Sequence, residues 1–448
     1  MVGSLATSFE HVDRYAASSS VSGAGIFLAA SSSKPSTAPF FKGCLAAPRR
    51  GADLVLTLAQ IVRTRYYTPP GMVQRLIQQS DPVITCGGGM LRFEGLSACC
   101  GVYARVDFLG NAFDADRLDP GTSNVDFNPP MRAALARLRD GDRPRLMVSA
   151  AGFEMESNSG GAFERRVTLP TRWIKGFVEV QAHQARMERR LGVSGSAVRQ
   201  FVRELPFQRT PGTIYISPIG NTLRLSQTAG SGAVPVGGID RLRMLADVAR
   251  HATELEVYSS GDGATAWRME TPDARLFLVL SPEPSRGFSG EGQVLEALAK
   301  GSTLTARLRA MLRWENGLDP GALAGQLGAS EADVASGLAE LGTAGLVGYD
   351  LAEAMYFHRE LPFDLGHIAI RHPRLVAARK LLRDGQVEID DEGSAWVRGK
   401  DGEYRVRRDA DGGWHCLCPW IARHGSSRGP CKHILAIQIA AGDAGDEG

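Results

Sequence analysis

The sequence predicts a multidomain α+β protein, and three observations support this fold class. The chain has 448 residues, which is enough for about two to four domains of ordinary size. Short strand-like runs are interspersed with helical periodicity through residues 64–285, which is typical of one α+β domain. Residues 286–370 and 371–448 then carry patterns of their own, helical in the first and cysteine-containing in the second. We therefore expect two smaller units after the large domain.

The composition is that of a globular protein and excludes several classes. Hydrophobic residues make up 43% and charged residues 22% of the chain, which excludes a wholly disordered protein, a collagen and a coiled-coil rod. No run of 18 apolar residues occurs, so neither a transmembrane helix nor a membrane partner is expected. The net charge of +2 is too small to indicate a nucleic-acid partner by itself. Only seven of the 51 basic residues are lysine, a bias that favours a GC-rich, bacterial source.

The start of the chain and its cysteines indicate the compartment. Residues 1–15 lack the basic segment and the apolar core of a secretory signal, so we expect a cytoplasmic protein. The seven cysteines are an odd number spread over a long chain, which does not fit a disulfide framework. Three of them lie within 16 residues near the C-terminus, and this cluster is the most informative feature of the sequence.

The first predicted unit is an N-terminal segment, residues 1–63, that is partly flexible. Serine, alanine and glycine are frequent from Ser18 to Pro39, a composition typical of loops. Gly51 to Arg65 is predicted to be helical, because apolar residues recur every three to four positions from Leu54 onwards.

The second unit, residues 64–285, is predicted to be an α+β domain of unknown role. Its predicted helices are Met72 to Gln79, Met131 to Arg139, Thr171 to Leu191 and Arg241 to His251. Its predicted strands are Met90 to Glu94, Gly101 to Phe108, Arg145 to Val148 and Phe163 to Leu169. Thr171 is a suitable N-cap for its helix. The segment Ser281 to Ser285 contains two prolines and marks the end of the unit.

The third unit, residues 286–370, is predicted to contain helices followed by a hairpin. The helices are Glu291 to Lys300, Leu304 to Trp314, Asp319 to Leu327 and Ser330 to Leu341, and the strands are Gly345 to Asp350 and Met355 to Arg359. The last two helices are joined by Gly328 and Ala329 and form a helix-turn-helix pattern. This order of elements resembles a winged-helix domain, in which the hairpin is the wing.

The fourth unit, residues 371–448, combines a basic helix with a small ββα motif. The predicted elements are the helix His372 to Arg383, the strands Ser394 to Arg398, Tyr404 to Arg408 and Trp414 to Cys418, and the helix Cys431 to Ala440. The turn before the last strand is assigned to residues 411–413, which read Asp-Gly-Gly.

Four residues of this unit have the spacing of a metal site, namely Cys416, Cys418, Cys431 and His433. Three thiolates and one imidazole form a common closed, tetrahedral shell for structural zinc. Cys416 and Cys418 are two residues apart on an extended segment, so both thiols point the same way. Cys431 begins a helix, whose N–H groups favour a thiolate. We therefore expect one structural Zn²⁺, covered by Leu417 and by the apolar run from Ile434 to Ile439.

The pattern C-x-C, a spacer and C-x-H resembles the SWIM zinc finger, and the run P-C-K-H-I-L-A is close to the typical sequence of that family. The resemblance implies that the four residues above hold one zinc ion. The run from Gly345 to Phe363 adds a likeness to bacterial SWIM proteins with a winged-helix-like region before the finger. His415 and His424 compete with His433 as ligands. His415 is expected on the opposite strand face from Cys416, and His424 lies in the spacer, so His433 is preferred.

The sequence gives no support to an enzyme. Gly87 to Gly89 lacks the lysine and hydroxyl residue of a phosphate-binding loop and is predicted to be a turn. A second metal site at Cys86, Cys99 and Cys100 is an alternative to core packing, but adjacent cysteines are poor joint ligands. His358 is expected to be a structural residue of its strand. Because four protein ligands leave no open position for water, the predicted zinc is structural and not catalytic.

Basic residues around the finger make DNA or RNA the alternative partner. The candidate phosphate contacts are Arg423, Arg428 and Lys432 near the spacer, and Arg407 and Arg408 on the hairpin. Further charges on the basic helix, including Arg374, add to this set, and Trp414 and Trp420 can stack on bases. The competing interpretation is that the charges solvate the surface and the tryptophans close a small core.

The predicted recognition helix favours a protein partner instead. Ser330 to Leu341 carries Glu331, Asp333 and Glu340 and neither lysine nor arginine, whereas major-groove readers need positive charge near phosphates. We therefore expect a non-enzymatic adaptor. Genes for similar SWIM proteins are often found near MoxR-type AAA+ ATPases and von Willebrand A-domain proteins. The resemblance thus implies a partner from one of these two classes.

Overall fold

The computed structural model describes most of the chain. It describes residues 14–15, 20–22, 25–27, 30–31, 38–68, 82–158, 160–167, 169, 171–261, 263–288, 295, 299, 302–312, 314, 317–361, 373–390, 394–399, 402–408, 413–425 and 428–443. The predicted helix Met72 to Gln79 lies outside these residues, and so do His372 and the first two residues of the predicted turn at 411–413.

The α-helices of the described residues are α1 (Pro48–Arg63), α2 (Pro129–Ala136), α3 (Thr171–Gln184), α4 (Ser196–Glu204), α5 (Thr305–Met311), α6 (Pro320–Leu327), α7 (Glu331–Thr343), α8 (Pro373–Arg383), α9 (Pro419–His424) and α10 (Lys432–Asp443). Short 3₁₀ helices cover Gly110–Ala112, Ile239–Asp247 and Ala249–His251.

The strands of the first half are β1 (Arg14–Tyr15), β2 (Ser20–Ser22), β3 (Gly25–Phe27), β4 (Ala30–Ser31), β5 (Phe41–Leu45), β6 (Val83–Gly87), β7 (Met90–Leu96), β8 (Val102–Phe108), β9 (Phe113–Leu118), β10 (Gly121–Asn124), β11 (Arg145–Ser149), β12 (Gly152–Ser157), β13 (Gly160–Arg165) and β14 (Glu188–Ser194). Those of the second half are β15 (Thr213–Ile219), β16 (Thr222–Ser226), β17 (Val234–Gly237), β18 (Glu254–Ser259), β19 (Thr265–Glu270), β20 (Ala274–Leu280), β21 (Val347–Asp350), β22 (Met355–His358), β23 (Val387–Ile389), β24 (Ala395–Gly399), β25 (Gly402–Arg408) and β26 (Trp414–Cys416).

An antiparallel sheet of eight strands is the centre of the fold, in the order β10-β6-β7-β8-β20-β19-β18-β14. Helix α1 packs on β7 and β8, and its Leu54, Leu58 and Ile61 are fully buried with Phe93 and Phe108 of the sheet. Burial of an apolar stripe of this kind is the main source of helix stability in a protein. The helix predicted by this periodicity is therefore present, and it begins three residues before the predicted start.

The remaining strands form smaller antiparallel sheets. Five strands pair in the order β13-β12-β11-β5-β9, three as β16-β15-β17 and four as β23-β24-β25-β26. One apolar cluster joins the eight-stranded and five-stranded sheets, and it extends from Phe41 to Leu361. The four-stranded sheet has a separate small core, which contains the three C-terminal cysteines.

Helix α10 contributes to two apolar clusters at once. Ile434 and Ile437 pack into the core of the four-stranded sheet. Leu435 packs into another cluster, with Leu375 of α8 and Leu295. The helix therefore lies between the core of the C-terminal sheet and the cluster that contains Leu375 and Leu295.

Buried charges fix the hairpin of β21 and β22 to the eight-stranded sheet. Asp350 accepts hydrogen bonds from Nη2 of Arg92 at 2.6 Å and from Nη2 of Arg105 at 3.0 Å. Directly after β22, Arg359 pairs with Glu94 of β7, and all five side chains are buried. Burial alone would raise the pKa of Asp350, but Arg105 and Arg92 lower it to about 2, so the carboxylate is ionised at neutral pH.

The predicted fold class, with a winged-helix-like module and a ββα finger beside an α+β domain, is wrong. Antiparallel sheets dominate the described residues, and the hairpin read as a wing is part of the packing of the large sheet. The described residues of the C-terminal unit form four strands and three helices, because β23 and α9 add to the predicted elements. Local periodicity identifies a strand, but it does not tell which surface the strand covers.

Two further predictions fail in the middle of the chain. The helix predicted to continue to Leu191 ends at Gln184, and Glu188–Ser194 forms the edge strand β14. In this strand only Leu191 and Val193 are buried, which is the alternation of a half-buried strand. The helix predicted at Arg241 to His251 is replaced by two 3₁₀ segments.

Candidate metal centre

The four predicted ligands come together where three elements of the C-terminal unit meet. Cys416 ends β26, Cys418 is the N-cap residue of α9, and Cys431 directly precedes α10, whose second residue is His433. One ligand atom from each residue lies within 4.8 Å of all the others. Their exposed fractions range from 0% to 3%. The cluster can therefore hold a metal ion that is shielded from solvent.

Strand alternation places the first two thiols. Cys416 pairs with Val406 of β25, and both side chains are buried in the small core. Pro419 begins α9 and turns the chain directly after Cys418. Leu417 points outward with 76% of its surface exposed, so the prediction that this leucine covers the site is wrong.

The imidazole of His433 completes the cluster through Nδ1. This atom lies 3.8 Å from Sγ of Cys416 and 3.9 Å from Sγ of Cys431. The ring of Tyr404 stacks on it, with centroids 4.7 Å apart and planes at 28°. The other ring nitrogen, Nε2, faces Gly399 of β24 and has no hydrogen-bond partner among the described residues. Nδ1 is thus the nitrogen available to a metal.

The three thiols have unequal acidities. Hydrogen bonds from Cys416 and Cys431 lower the pKa of Cys418 far below its ordinary value. In return, the hydrogen bond with Cys418 raises the pKa of Cys416 to about 11, and hydrogen bonds also raise that of Cys431. Because metals bind thiolates, loading the site would release protons from the thiols whose pKa is raised.

Arg374 of α8 holds the loop that carries Cys431. Its Nη1 donates hydrogen bonds to the carbonyl oxygens of Arg428 at 2.9 Å and of Pro430 at 2.7 Å. Its guanidinium also lies 4.2 Å from the ring centroid of Trp420. This arginine, predicted as a phosphate contact, therefore positions the metal site. Its role could not be read from the sequence, since its partners are main-chain carbonyls about fifty residues away.

A cleft of about 210 Å³ lies beside the cysteines, lined by Arg374, Tyr404, Trp420 and Lys432. Trp420 is partly buried, and its Nε1 donates a hydrogen bond to the carbonyl of Gly429. This contact matches the interpretation in which the tryptophans close a small core. Trp414 belongs to the same core.

The competing histidines lie outside the cluster. His415 pairs with Arg407 of β25, while the next residue, Cys416, is buried on the opposite face of the sheet. The ring of His424 packs on Trp420, with centroids 4.6 Å apart. Neither histidine belongs to the group of ligand atoms at the metal site.

The five predicted phosphate contacts lie on several elements of the C-terminal unit, and Arg423 and Arg428 both lie near His424. Arg407 and Arg408 are adjacent in β25 and therefore point to opposite faces of the sheet. Arg408 lies over the ring of Trp414, 4.8 Å from its centroid. Arg423 is exposed on α9. Arg428 lies 3.9 Å from the carboxylate of Glu283, and Lys432 lines the cleft.

The other candidate sites of the sequence lie in a turn or in the packed interior. Gly88 and Gly89 have positive φ angles and form the turn between β6 and β7, and Gly88 donates a backbone hydrogen bond to Trp314. Cys86 and Cys100 are buried in the core. The ring of His358 packs on Trp314, with centroids 4.3 Å apart. Within the described part of the chain, the C-terminal group is the one cluster of three or more Cys, His, Asp or Glu with metal-site spacing.

Comparison with known proteins gives structural neighbours only. No protein-family model and no curated protein matches the chain. The structure of Proliferating Cellular Nuclear Antigen from Entamoeba histolytica matches 55% of this chain and 99% of its own, with 11% identity and a TM-score of 0.37. The PCNA2-PCNA3 complex from Sulfolobus tokodaii matches 55% and 100%, with 9% identity and a TM-score of 0.40.

Among the described residues, no helix is both long enough and apolar enough to cross a bilayer.

Proposed function

We propose that this chain is a non-enzymatic zinc-binding protein whose C-terminal unit, similar to a SWIM finger in its ligand pattern, serves protein interaction. The observation that carries the proposal is the buried cluster of three cysteines and one histidine. Closed sets of this composition are typical of structural zinc.

The distances fit a tetrahedral metal such as zinc. In a tetrahedral site with zinc–sulfur bonds of about 2.3 Å and zinc–nitrogen bonds of about 2.1 Å, sulfur and nitrogen ligands lie about 3.6 Å apart. The two Sγ–Nδ1 distances of 3.8 and 3.9 Å are close to this value. Cys416, Cys418, Cys431 and His433 would hold one Zn²⁺, whose binding energy would contribute to the folding of the unit.

Two features support a role in interaction instead of catalysis. Four protein ligands fill the zinc shell and leave no position for a reacting water. None of the seven cysteines forms a disulfide, which is in keeping with a zinc–thiolate protein in the cytoplasm. The partner is proposed to be a MoxR-type AAA+ ATPase or a von Willebrand A-domain protein, on the basis of the SWIM resemblance. Helix α7, with Glu331 and Asp333 in its first turn, is suited to a protein and not to DNA.

The alternative is a DNA- or RNA-binding protein that uses the basic residues of the C-terminal unit. It has less support, because Arg407 and Arg408 lie on opposite faces of one sheet and Arg428 approaches Glu283. A phosphate backbone needs several cations along one path.

The experiment that tests the proposal is a binding titration with zinc-loaded, full-length protein. A MoxR-type ATPase and a von Willebrand A-domain protein are the protein probes, and duplex DNA, single-stranded DNA and RNA are the nucleic-acid probes. We expect binding to a protein probe that is lost in Cys431→Ala. Nucleic-acid binding that falls steeply between about 50 and 200 mM salt, without binding to either protein, would replace the proposal by its alternative.

A further inference from the structure

The four-stranded sheet of the C-terminal unit has one covered face and one open face. Its inner face packs Ala395, Val397 and Val406 against the metal-site cysteines and α10. Antiparallel sheets of this kind usually present polar side chains to water on the other side. Here the other side also presents large apolar side chains, which sets it apart from an ordinary solvated face.

The open face is named here the outer face, and it includes Trp396, Arg405, Arg407, His415 and Leu417. The register also places Glu388, Arg398 and Glu403 on this face. Cross-strand pairing joins Trp396 to Arg405 and Arg407 to His415. Trp396 is 43% exposed and Leu417 is 76% exposed. An exposed tryptophan beside arginines is the composition of interaction hot spots.

The charges of the outer face are unbalanced. On this face, Arg398 is neutralised by two carboxylates, Glu388 at 2.7 Å and Glu403 at 3.0 Å. Arg405 lies over the ring of Trp396, 5.9 Å from its centroid, and has no carboxylate partner within the described part of the chain. Arg407 also lacks one there. Two exposed guanidinium groups are therefore available to an acidic ligand.

We infer that the outer face binds a partner protein through a segment that carries carboxylates next to an apolar side chain. The carboxylates would pair with Arg405 and Arg407, since arginine binds carboxylates through two parallel hydrogen bonds. The apolar side chain would cover Trp396 and Leu417. This inference rests on the proposed function and adds the surface and the chemistry of the partner.

The same residues favour a protein over a nucleic acid. A phosphate backbone would leave the apolar side chain of Leu417 uncovered. Two free arginines also supply fewer cations than a typical single-strand channel. An acidic, partly apolar peptide satisfies both the charge and the exposed side chains.

The test uses synthetic peptides of about twelve residues in which glutamates alternate with leucine or phenylalanine. They are titrated into zinc-loaded, full-length protein, and binding is followed by fluorescence anisotropy. A lysine version of each peptide and a single-stranded DNA serve as competing probes. The variants are Arg407→Glu and Trp396→Ala. Arg408→Glu is the matched control, because it makes the same charge change one residue along, on the other face of the sheet.

We expect the acidic peptides to bind and to lose about tenfold in affinity in Arg407→Glu and in Trp396→Ala, with little change in Arg408→Glu. Retained zinc shows that each variant is folded. The inference is overturned if the acidic peptides do not bind, if the DNA binds in their place, or if Arg408→Glu has an equal effect. If both outer-face variants bind the ATPase or the von Willebrand A protein normally while Cys431→Ala does not, the surface is wrong and the proposed function stands.

Discussion

Asp350 and Arg92 form a buried ion pair, with 2.6 Å between carboxylate and guanidinium, that joins the β21–β22 hairpin to the eight-stranded sheet. The two residues are 258 positions apart in the sequence. Arg105 binds the other oxygen of the same carboxylate. Asp107 of β8 also approaches both arginines. The hairpin therefore depends on the sheet for its position, and it supplies the second carboxylate for the two buried arginines.

Asp350→Ala is expected to destabilise the protein strongly. Removing the carboxylate leaves Arg92 and Arg105 buried without it, a change that typically costs about 3–5 kcal/mol. The measurement is the free energy of unfolding by denaturant. The control is Glu353→Ala, which removes a half-exposed partner of Arg275 and should cost about 1 kcal/mol or less. Equal effects of the two substitutions would contradict a special role for the buried pair.

Cys431→Ala is expected to abolish zinc binding and to unfold the C-terminal unit. Three remaining ligands hold a structural zinc poorly, and the small core contains the cysteines themselves. Metal content per chain and proteolysis of the C-terminal unit are the measurements. Cys44→Ala is the control, because this cysteine lies on β5, far along the chain from the cluster. A Cys431 variant that retains one tightly held zinc ion would refute the proposed ligand set.

Arg374→Ala is expected to weaken zinc binding by about tenfold or more, the usual effect of losing a group that orients metal ligands. The substitution removes the hydrogen bonds to the carbonyls of residues 428 and 430, just before Cys431. Competition with a chromophoric chelator measures the affinity. Arg379→Ala, an exposed position on the same helix, should leave the affinity unchanged. If the two variants bind zinc equally well, Arg374 does not position the site.

His358 is expected to make stability fall at acidic pH. Desolvation lowers the pKa of this buried histidine from its ordinary value to about 4, so the folded state binds the proton less readily than the unfolded state. The contribution of neutral His358 to the free energy of unfolding is present above pH 6.5 and is lost as the pH falls through about 4. His358→Phe retains a ring against Trp314 and removes the titration. The difference in unfolding free energy between the two proteins, measured from pH 7 to 4, should shift in favour of the variant. A constant difference would rule out this role.

The ligand cluster could be predicted from the sequence because its determinants are local. Cys416 and Cys418 alternate along an extended segment, and Cys431 and His433 begin one helix. Two short segments thus supply all four ligands, and the site forms when these two segments come into contact.

The packing of the large sheet could not be predicted in the same way. Arg92 and Glu94 alternate with apolar residues along β7, a pattern that normally indicates a solvated face. In the structure this face is covered, and Asp350 and Arg359 supply the opposite charges from more than 250 residues away. The periodicity of a strand shows that one of its faces is polar. Whether that face is exposed depends on the residues that pack on it from distant parts of the chain.

Helix α10 has a consequence for the proposed zinc ion that extends beyond the C-terminal sheet. One of its faces packs with the ligands through Ile434, and another packs through Leu435 on Leu375 and Leu295. Metal occupancy and the docking of the preceding segments are therefore thermodynamically linked, and such linkage is reciprocal. A partner that separates α10 from Leu295 would weaken zinc binding by a certain factor. Bound zinc would weaken the binding of that partner by the same factor. The zinc affinity of the full chain therefore reports how stably α10 packs against Leu375 and Leu295.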